Sequence, residues 1–236
     1  LRGAGSFGSG IRVDDCLFRN CVTTGNGGAA ALSKSYGDCI ASDCEFAGNR
    51  ASRGGALQWS SGGGGGTVSI TNCLFRGNES TGSGGAIGGT GGTILDSTFS
   101  NNTAATVGGA IYTENGRTLR RCRFYSNTSG SDGSAIHGDN HHMGDLNLRN
   151  CLVVDGSGGT AMHHGGHSSG ITLDVRHCTF VENSGGDLRA TKHIAVYNSI
   201  FVASGGTGIS TTDGTPQVDY NNLYGHTTPY DGLGAG

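Results

Sequence analysis

The stretch NCLFRGNESTGSGGAIGG, residues 72–89, restates itself along most of the chain, and that self-similarity limits the fold more than any other feature. Aligned on its cysteine, the repeated position reads Cys16, Cys44, Cys73, Ser97, Cys122, Cys151, Cys178, Ser199 and Asn222, at intervals of 21–29 residues. Two residues on stand Phe18, Phe46, Phe75, Phe99, Phe124, Val153, Phe180, Phe201 and Tyr224, and three beyond those Asn49, Asn78, Asn102, Asn127 and Asn183. A glycine block follows: Gly54-Gly55-Ala56-Leu57, Gly84-Gly85-Ala86-Ile87, Gly108-Gly109-Ala110-Ile111, Gly133-Ser134-Ala135-Ile136, Gly159-Thr160-Ala161-Met162 and Gly185-Gly186-Asp187-Leu188. Alternating apolar residues such as Val68/Ile70, Leu146/Leu148, Leu173/Val175 and Ile194/Val196 close each unit. The register survives every change of interval, so insertions fall outside these blocks.

Each unit therefore holds three short strands, too short to bury a core alone. Stacking every unit on the next, at about 4.8 Å, lets each strand pair in parallel with its copies. The expected fold is all-β, a right-handed parallel β-helix of 8–9 coils spanning residues 1–236 as one domain, the hand following from the bias of parallel crossovers. Cys, Phe and the Ile or Leu of the glycine block point inward. Asn at a repeated turn can form an amide ladder, and glycine supplies positive φ at the corners. Composition agrees: glycine is 47 of 236 residues but proline only 2, so the glycines serve order and not a low-complexity tract. Charged residues are 14% and the net charge is −3, which predicts no basic face for nucleic acid. No apolar run reaches membrane-spanning length. A chain opening on Leu1 without a signal-like segment reads as a processed protein or an excised fragment.

The pairing of F-x-x-N with G-G-A-[IL], from about residue 11 to 225, resembles the repeats of the chlamydial polymorphic outer-membrane proteins and, more broadly, the secreted right-handed β-helix proteins of the pectin-lyase-like superfamily. That resemblance implies an extracellular or cell-surface location. It leaves function open, because the superfamily includes adhesins, tailspikes, polysaccharide lyases, hydrolases and epimerases.

Six of the eight cysteines share the inward position with Ser97 and Ser199, which reads as a ladder of small buried side chains and not as a disulfide framework. Cys21 and Cys39 lie off that ladder, where a bridge between them is open. Asn78, Asn101 and Asn127 match N-x-[ST], but a glycan on Asn78 or Asn127 would destroy the Asn stack. Neither LRGAGSFGSG nor TTPYDGLGAG looks like an amphipathic cap, so the chain is read as part of a longer solenoid or as a subunit stacking end to end.

The residue after each G-x-A-[ILM] block faces out, giving a column of Gln58, Gly88, Tyr112, His137, His163, Arg189 and Ser210. Two positions further it reads Ser60, Thr90, Glu114, Asp139, Gly165, Thr191 and Thr212. Tyr112, His137, His163 and Arg189, with Glu114 and Asp139, would suit an acidic polysaccharide: Arg to meet a uronate carboxylate, His or Tyr to take a proton. Outward positions of any β-helix carry polar residues, and the leading expectation is a structural or adhesive solenoid, with the carbohydrate-active enzyme as alternative. Its partners would be itself or extracellular glycans, and it calls for no cofactor. Trp59 and Tyr112 suggest sugar stacking, Trp59 equally a corner filler. His137, His141, His142, His163, His164 and His167 are dense enough to bind zinc or copper, yet no regular ligand spacing supports this.

Overall fold

Strands of two to five residues with an alternating burial pattern leave one side of every coil indoors, and only the next coil can satisfy their backbone groups. In the computed structural model, which describes residues 2–4, 11–34, 38–61, 67–140, 144–166, 172–202, 205–212 and 216–232, they do so in parallel throughout. Sheet A has ten strands, from Arg2–Ala4 to Thr228–Asp231, and contains every described glycine block's final apolar residue. Sheet B has nine, from Ile11–Asp14 to Gln217–Asp219. Sheet C, which carries the Phe positions, also has nine, from Leu17–Arg19 to Asn222–Tyr224. The chain is thus the all-β parallel solenoid its repeats predict. A fourth sheet D adds to the expected three: Arg50–Ala51, Glu79–Ser80, Thr103–Ala104 and Thr128–Ser129 pair just after the Asn positions.

Two corners are single residues in the left-handed region, and most are not glycine. Between sheets B and C the bend is Asp15, Asp43, Asn72, Asp96, Arg121, Asn150, His177, Asn198 or Tyr220, at φ 50–57°. After sheet C it is Asn20, Gly48, Gly77, Asn101, Ser126, Asp155, Glu182 or Gly225. Asn and Asp tolerate this region; Arg121, His177 and Tyr220 hold it at a cost of roughly 1–2 kcal/mol each. Glycine is obligatory at the corner entering sheet A: Gly84 has φ +70°, and a Cβ there would lie 2.2 Å from the Ile87 carbonyl oxygen. Length varies between sheets C and A, where ten residues separate Leu74–Arg76 from Ile87–Gly89 but four separate Ile200–Val202 from Thr207–Thr211, and again from sheet A to sheet B. Two residues separate Ile87–Gly89 from Gly92–Leu95, whereas six separate Leu57–Ser61 from Val68–Thr71. Of the SSGGGGG and His-rich stretches, which run from sheet A toward sheet B, residues 62–66, 141–143 and 167–170 lie outside the described residues.

Three ladders run through the interior. Phe18, Phe46, Phe75, Phe99 and Phe124 stack with ring centroids 4.8–4.9 Å apart, Val153 interrupts them, and Phe180 and Phe201 resume at 5.0 Å. In the asparagine ladder the amide nitrogens of Asn49, Asn78 and Asn102 donate to the Oδ1 of Asn78, Asn102 and Asn127 at 2.9–3.0 Å. Asn78 and Asn127 are each 1% exposed, which removes them as glycan acceptors in the folded chain. The cysteine ladder is entirely free thiol. Burial pushes the Cys73 thiol up to about 12, and hydrogen bonding to Cys151 together with burial raises Cys122 and Cys178. Cys21 and Cys39 are not bridged: Cys21 heads the asparagine ladder, its N–H donating to Asn49 Oδ1 at 3.0 Å, while Cys39 opens a sheet B strand.

The corner IGGTGG, residues 87–92, lacks bulk, and its neighbours fill it. Trp59 reaches in from one side and Arg117 from the other, the guanidinium carbon 5.2 Å from the indole ring. Trp59 Nε1 donates to the Thr90 carbonyl at 2.7 Å and Arg117 Nη2 donates to the same oxygen at 3.1 Å. Among the described residues Arg117 Nε and Nη1 have no partner and no carboxylate pairs with the cation, and burial brings its pKa down to about 9. Because the same inward column continues as Leu146, and an isolated buried charge costs more than a packed apolar side chain, Arg117→Met is expected to raise stability by about 1–2 kcal/mol. A guanidinium denaturation midpoint compared with wild type reads this directly.

The seventh coil departs from its repeat with a purpose. Asp187 stands where the glycine block usually has Ala, and its carboxylate accepts from Asn183 Nδ2 at 2.8 Å and lies 2.6 Å from His226 Nε2. Both side chains are fully buried. His226 belongs to the last coil and reaches past Gly208, where a Cβ would meet Leu223 Cδ2 at 2.9 Å and His226 Cδ2 at 3.3 Å. A missing side chain in the eighth coil thereby lets the ninth hold the seventh.

Candidate functional site

Parallel pairing turns one sequence position per repeat into one line of side chains on sheet A's outer face. Gln58, Gly88, Tyr112, His137, His163, Arg189 and Ser210 are in register from coil to coil, as the repeats predict. Asp139 pairs with Gly165 in the second line, which Glu114 also occupies.

These side chains engage one another. The Arg53 guanidinium lies over the Tyr112 ring at 4.5 Å and forms an ion pair with Glu114. Tyr112 stacks on His137 at 5.9 Å and donates its hydroxyl to Asp139 Oδ2 at 3.3 Å. His137 meets His163 edge-on at 4.8 Å. Asp132 Oδ2 lies 3.5 Å from His163 Nδ1 and 3.6 Å from Arg189 Nη1. The sequence reading missed Arg53 and Asp132, which stand immediately before the first glycine of their blocks; a third column read at that position would have found them.

Electrostatics follow from packing. Tyr112 is only 8% exposed, and burial, then Asp139, push its hydroxyl up to about 12, so it stays protonated. Burial, then His163, brings His137 down to about 4; burial also lowers His163, and His164 reaches about 4. At neutral pH the column holds neutral imidazoles and a protonated phenol. A tyrosinate base is therefore ruled against, while an imidazole remains able to accept a proton.

The pH dependence has a definite sign. Unfolded histidines titrate near 6.5, so between about 4 and 6.5 the unfolded chain binds protons that the folded chain does not. Stability from His137 and His164 is present above about 6.5 and lost as the pH falls toward 4, by about 3 kcal/mol per imidazole. Chemical denaturation between pH 5 and 6.5, above most carboxylate titration, should show this slope, and His137→Gln should make it shallower, leaving the share of His163 and His164.

Other expected ligands lie elsewhere. Trp59 is 2% exposed with its N–H spent on Thr90, so it fills the core and offers no sugar platform. His163 and His164 are adjacent in one strand and project to opposite faces, His164 being buried, so they cannot share an ion. Among the described residues no three His, Cys, Asp or Glu side chains are grouped to hold a metal; His141, His142 and His167 lie outside those residues.

Fold and repeat chemistry define a parallel β-solenoid. The sequence family described as the right-handed beta helix region matches residues 61–201, more than half of the chain, and the chain belongs to it. No curated protein and no solved structure matches the chain.

Proposed function

We propose that the chain is a structural and adhesive rod of the cell exterior, a solenoid whose sides meet extracellular glycans without transforming them. The observation that carries this reading is the closure of the outward column on itself: Arg53, Glu114, Tyr112 and Asp139 satisfy one another, and Tyr112 is covered. Side chains spent on mutual contacts stiffen the stack of coils and leave little to engage a reacting bond. The extracellular setting rests on the likeness of the F-x-x-N and G-G-A-[IL] repeats to secreted β-helices. One observation favours a carbohydrate-active enzyme as second reading: among the described residues His137 Nδ1 and His163 Nε2 have no hydrogen-bond partner. Affinity electrophoresis through gels containing acidic or neutral polysaccharides tests the adhesive reading. Retarded migration is expected in at least one; unretarded migration in all would sink it.

A further inference from the structure

The outer face of sheet C changes character partway along the rod. One of its two outward lines reads Arg19, Ala47, Arg76 and Ser100 over the first four coils, then Tyr125, Val154, Val181, Val202 and Tyr224 over the next five, each in register with the last. Leu152 and Ile200, on the other outward line, widen the apolar stripe. Ile200 is 45% exposed and Tyr224 73%, and the valines are half-buried. The core has no use for these side chains, because the inward position between the two lines is filled by Phe124, Val153, Phe180 and Phe201. Strand preference explains a valine here and there. It does not explain an apolar run that begins where Arg19 and Arg76 leave off, and contiguous exposed apolar surface marks contact with another molecule.

Charge frames the stripe unevenly. On the side of sheet B stand Arg121, Arg123 and His177, all exposed; on the other side Asp155 and Glu182 are exposed at the corners after sheet C. Arg121 is held by Asp96 at 2.6 and 2.7 Å, whereas Arg123, Asp155 and Glu182 form no ion pair among the described residues. Asp155 accepts from the Ser126 hydroxyl at 2.9 Å, which leaves its charge in place. With one edge basic and the other acidic, the face can complement itself.

We propose that this face of sheet C binds the same face of a second copy, so that two rods pair side by side and point the same way. Sheets packed face to face lie about 10 Å apart, and a two-fold axis makes the contact self-complementary. That axis can run along the strands or along the rods. Along the strands it would set the rods antiparallel and bring acidic corner to acidic corner, Glu182 against Glu182. Along the rods it leaves every coil opposite its own copy: Val181 meets Val181, Glu182 faces the partner's His177, and Asp155 stands one coil from the partner's Arg123. Electrostatics selects the second. Coils here repeat every 4.9–5.0 Å, so the stripe is about 20 Å long and about 10 Å wide, at the small end of protein interfaces. Association at micromolar concentrations follows. Lateral pairing rests on the structural half of the reading above and not on glycan binding.

Sedimentation velocity of the intact protein from about 1 to about 300 μM reads the pairing. Wild type is expected to pass from monomer to dimer over that range and to stop there, since a two-fold contact is closed. Val181→Lys, at the centre of the stripe, should weaken the dimer about ten-fold; Ser69→Lys, outward on sheet B, should leave it unchanged. Circular dichroism should show both variants folded, because both positions face out. Asp155→Asn/Glu182→Gln reads the orientation. Parallel rods lose their charge complement and should dissociate about three-fold more readily, whereas antiparallel rods lose a repulsion and would pair more tightly, which would overturn the arrangement. Monomer at every concentration, or a dimer untouched by Val181→Lys, would overturn the proposed face. Open-ended growth that Val181→Lys leaves intact would overturn it too, by placing the contact at the ends of the rod. None of these outcomes alters the result in polysaccharide gels, so the glycan reading fails or stands separately.

Discussion

Replacing Phe99 with alanine is expected to destabilise the chain by about 5 kcal/mol, the largest single-site effect in the molecule. Phe99 is fully buried and lies between two nearly parallel rings, Phe75 at 4.8 Å and Phe124 at 4.9 Å. Truncation removes its own buried area and leaves a void that the rigid coil spacing cannot close, because sheets A, B and C all fix the distance between coils. It also breaks two ring contacts, each contributing about 0.5–1.5 kcal/mol beyond burial. Phe99→Leu keeps most of the volume and should cost only about 1–2 kcal/mol. The sequence performs a related substitution at Val153, where the ring stack is interrupted and the backbone register is kept. Urea denaturation of both variants separates the cavity from the stacking loss. A Phe99→Ala cost below about 2 kcal/mol would mean that the core is far more plastic than its register implies.

Asn102→Ala comes next, at about 4 kcal/mol. Its Oδ1 accepts from the Asn78 backbone N–H at 3.0 Å and from Asn78 Nδ2 at 2.9 Å. Its Nδ2 donates to the Phe75 carbonyl at 3.1 Å and to Asn127 Oδ1 at 3.0 Å. Alanine would strand those partners where no water reaches, and each unsatisfied buried group costs about 1–3 kcal/mol. The next residue, Thr103, is exposed, and Thr103→Ala should stay within about 0.5 kcal/mol. Asn102→Asp separates accepting from donating: the carboxylate can receive from Asn78 but repels Asn127 Oδ1, so it too should destabilise, and less so once acid protonates it. Hydrogen exchange at the amides of Asn78 and Asn102 would report whether loosening spreads to the neighbouring coils.

The three principal strands, the inward cysteines and phenylalanines, the asparagine ladder and the order of the outward column were all legible in the sequence, because a parallel stack converts periodicity directly into neighbours. What escaped was whatever depends on side chains crossing from coil to coil out of register. Trp59 turns inward because the corner at residues 87–92 is emptied of side chains, a property of Gly88, Gly89 and Gly92 and not of Trp59. Asp187, inside a glycine block, takes its partner from His226, two coils away, through the gap at Gly208. The corners held by Asp96, Arg121 and His177 were expected from glycine, yet one left-handed residue suffices there and Asx chemistry serves most of them.

The central claim is recognition without turnover, and product analysis tests it most directly. The intact protein and His137→Ala would be incubated with a panel of acidic and neutral polysaccharides, and the mixtures resolved by chromatography. The account predicts no new cleaved or epimerised product from either protein, on any substrate. Product formed by wild type and lost in His137→Ala would contradict it and make the sheet A column an active site.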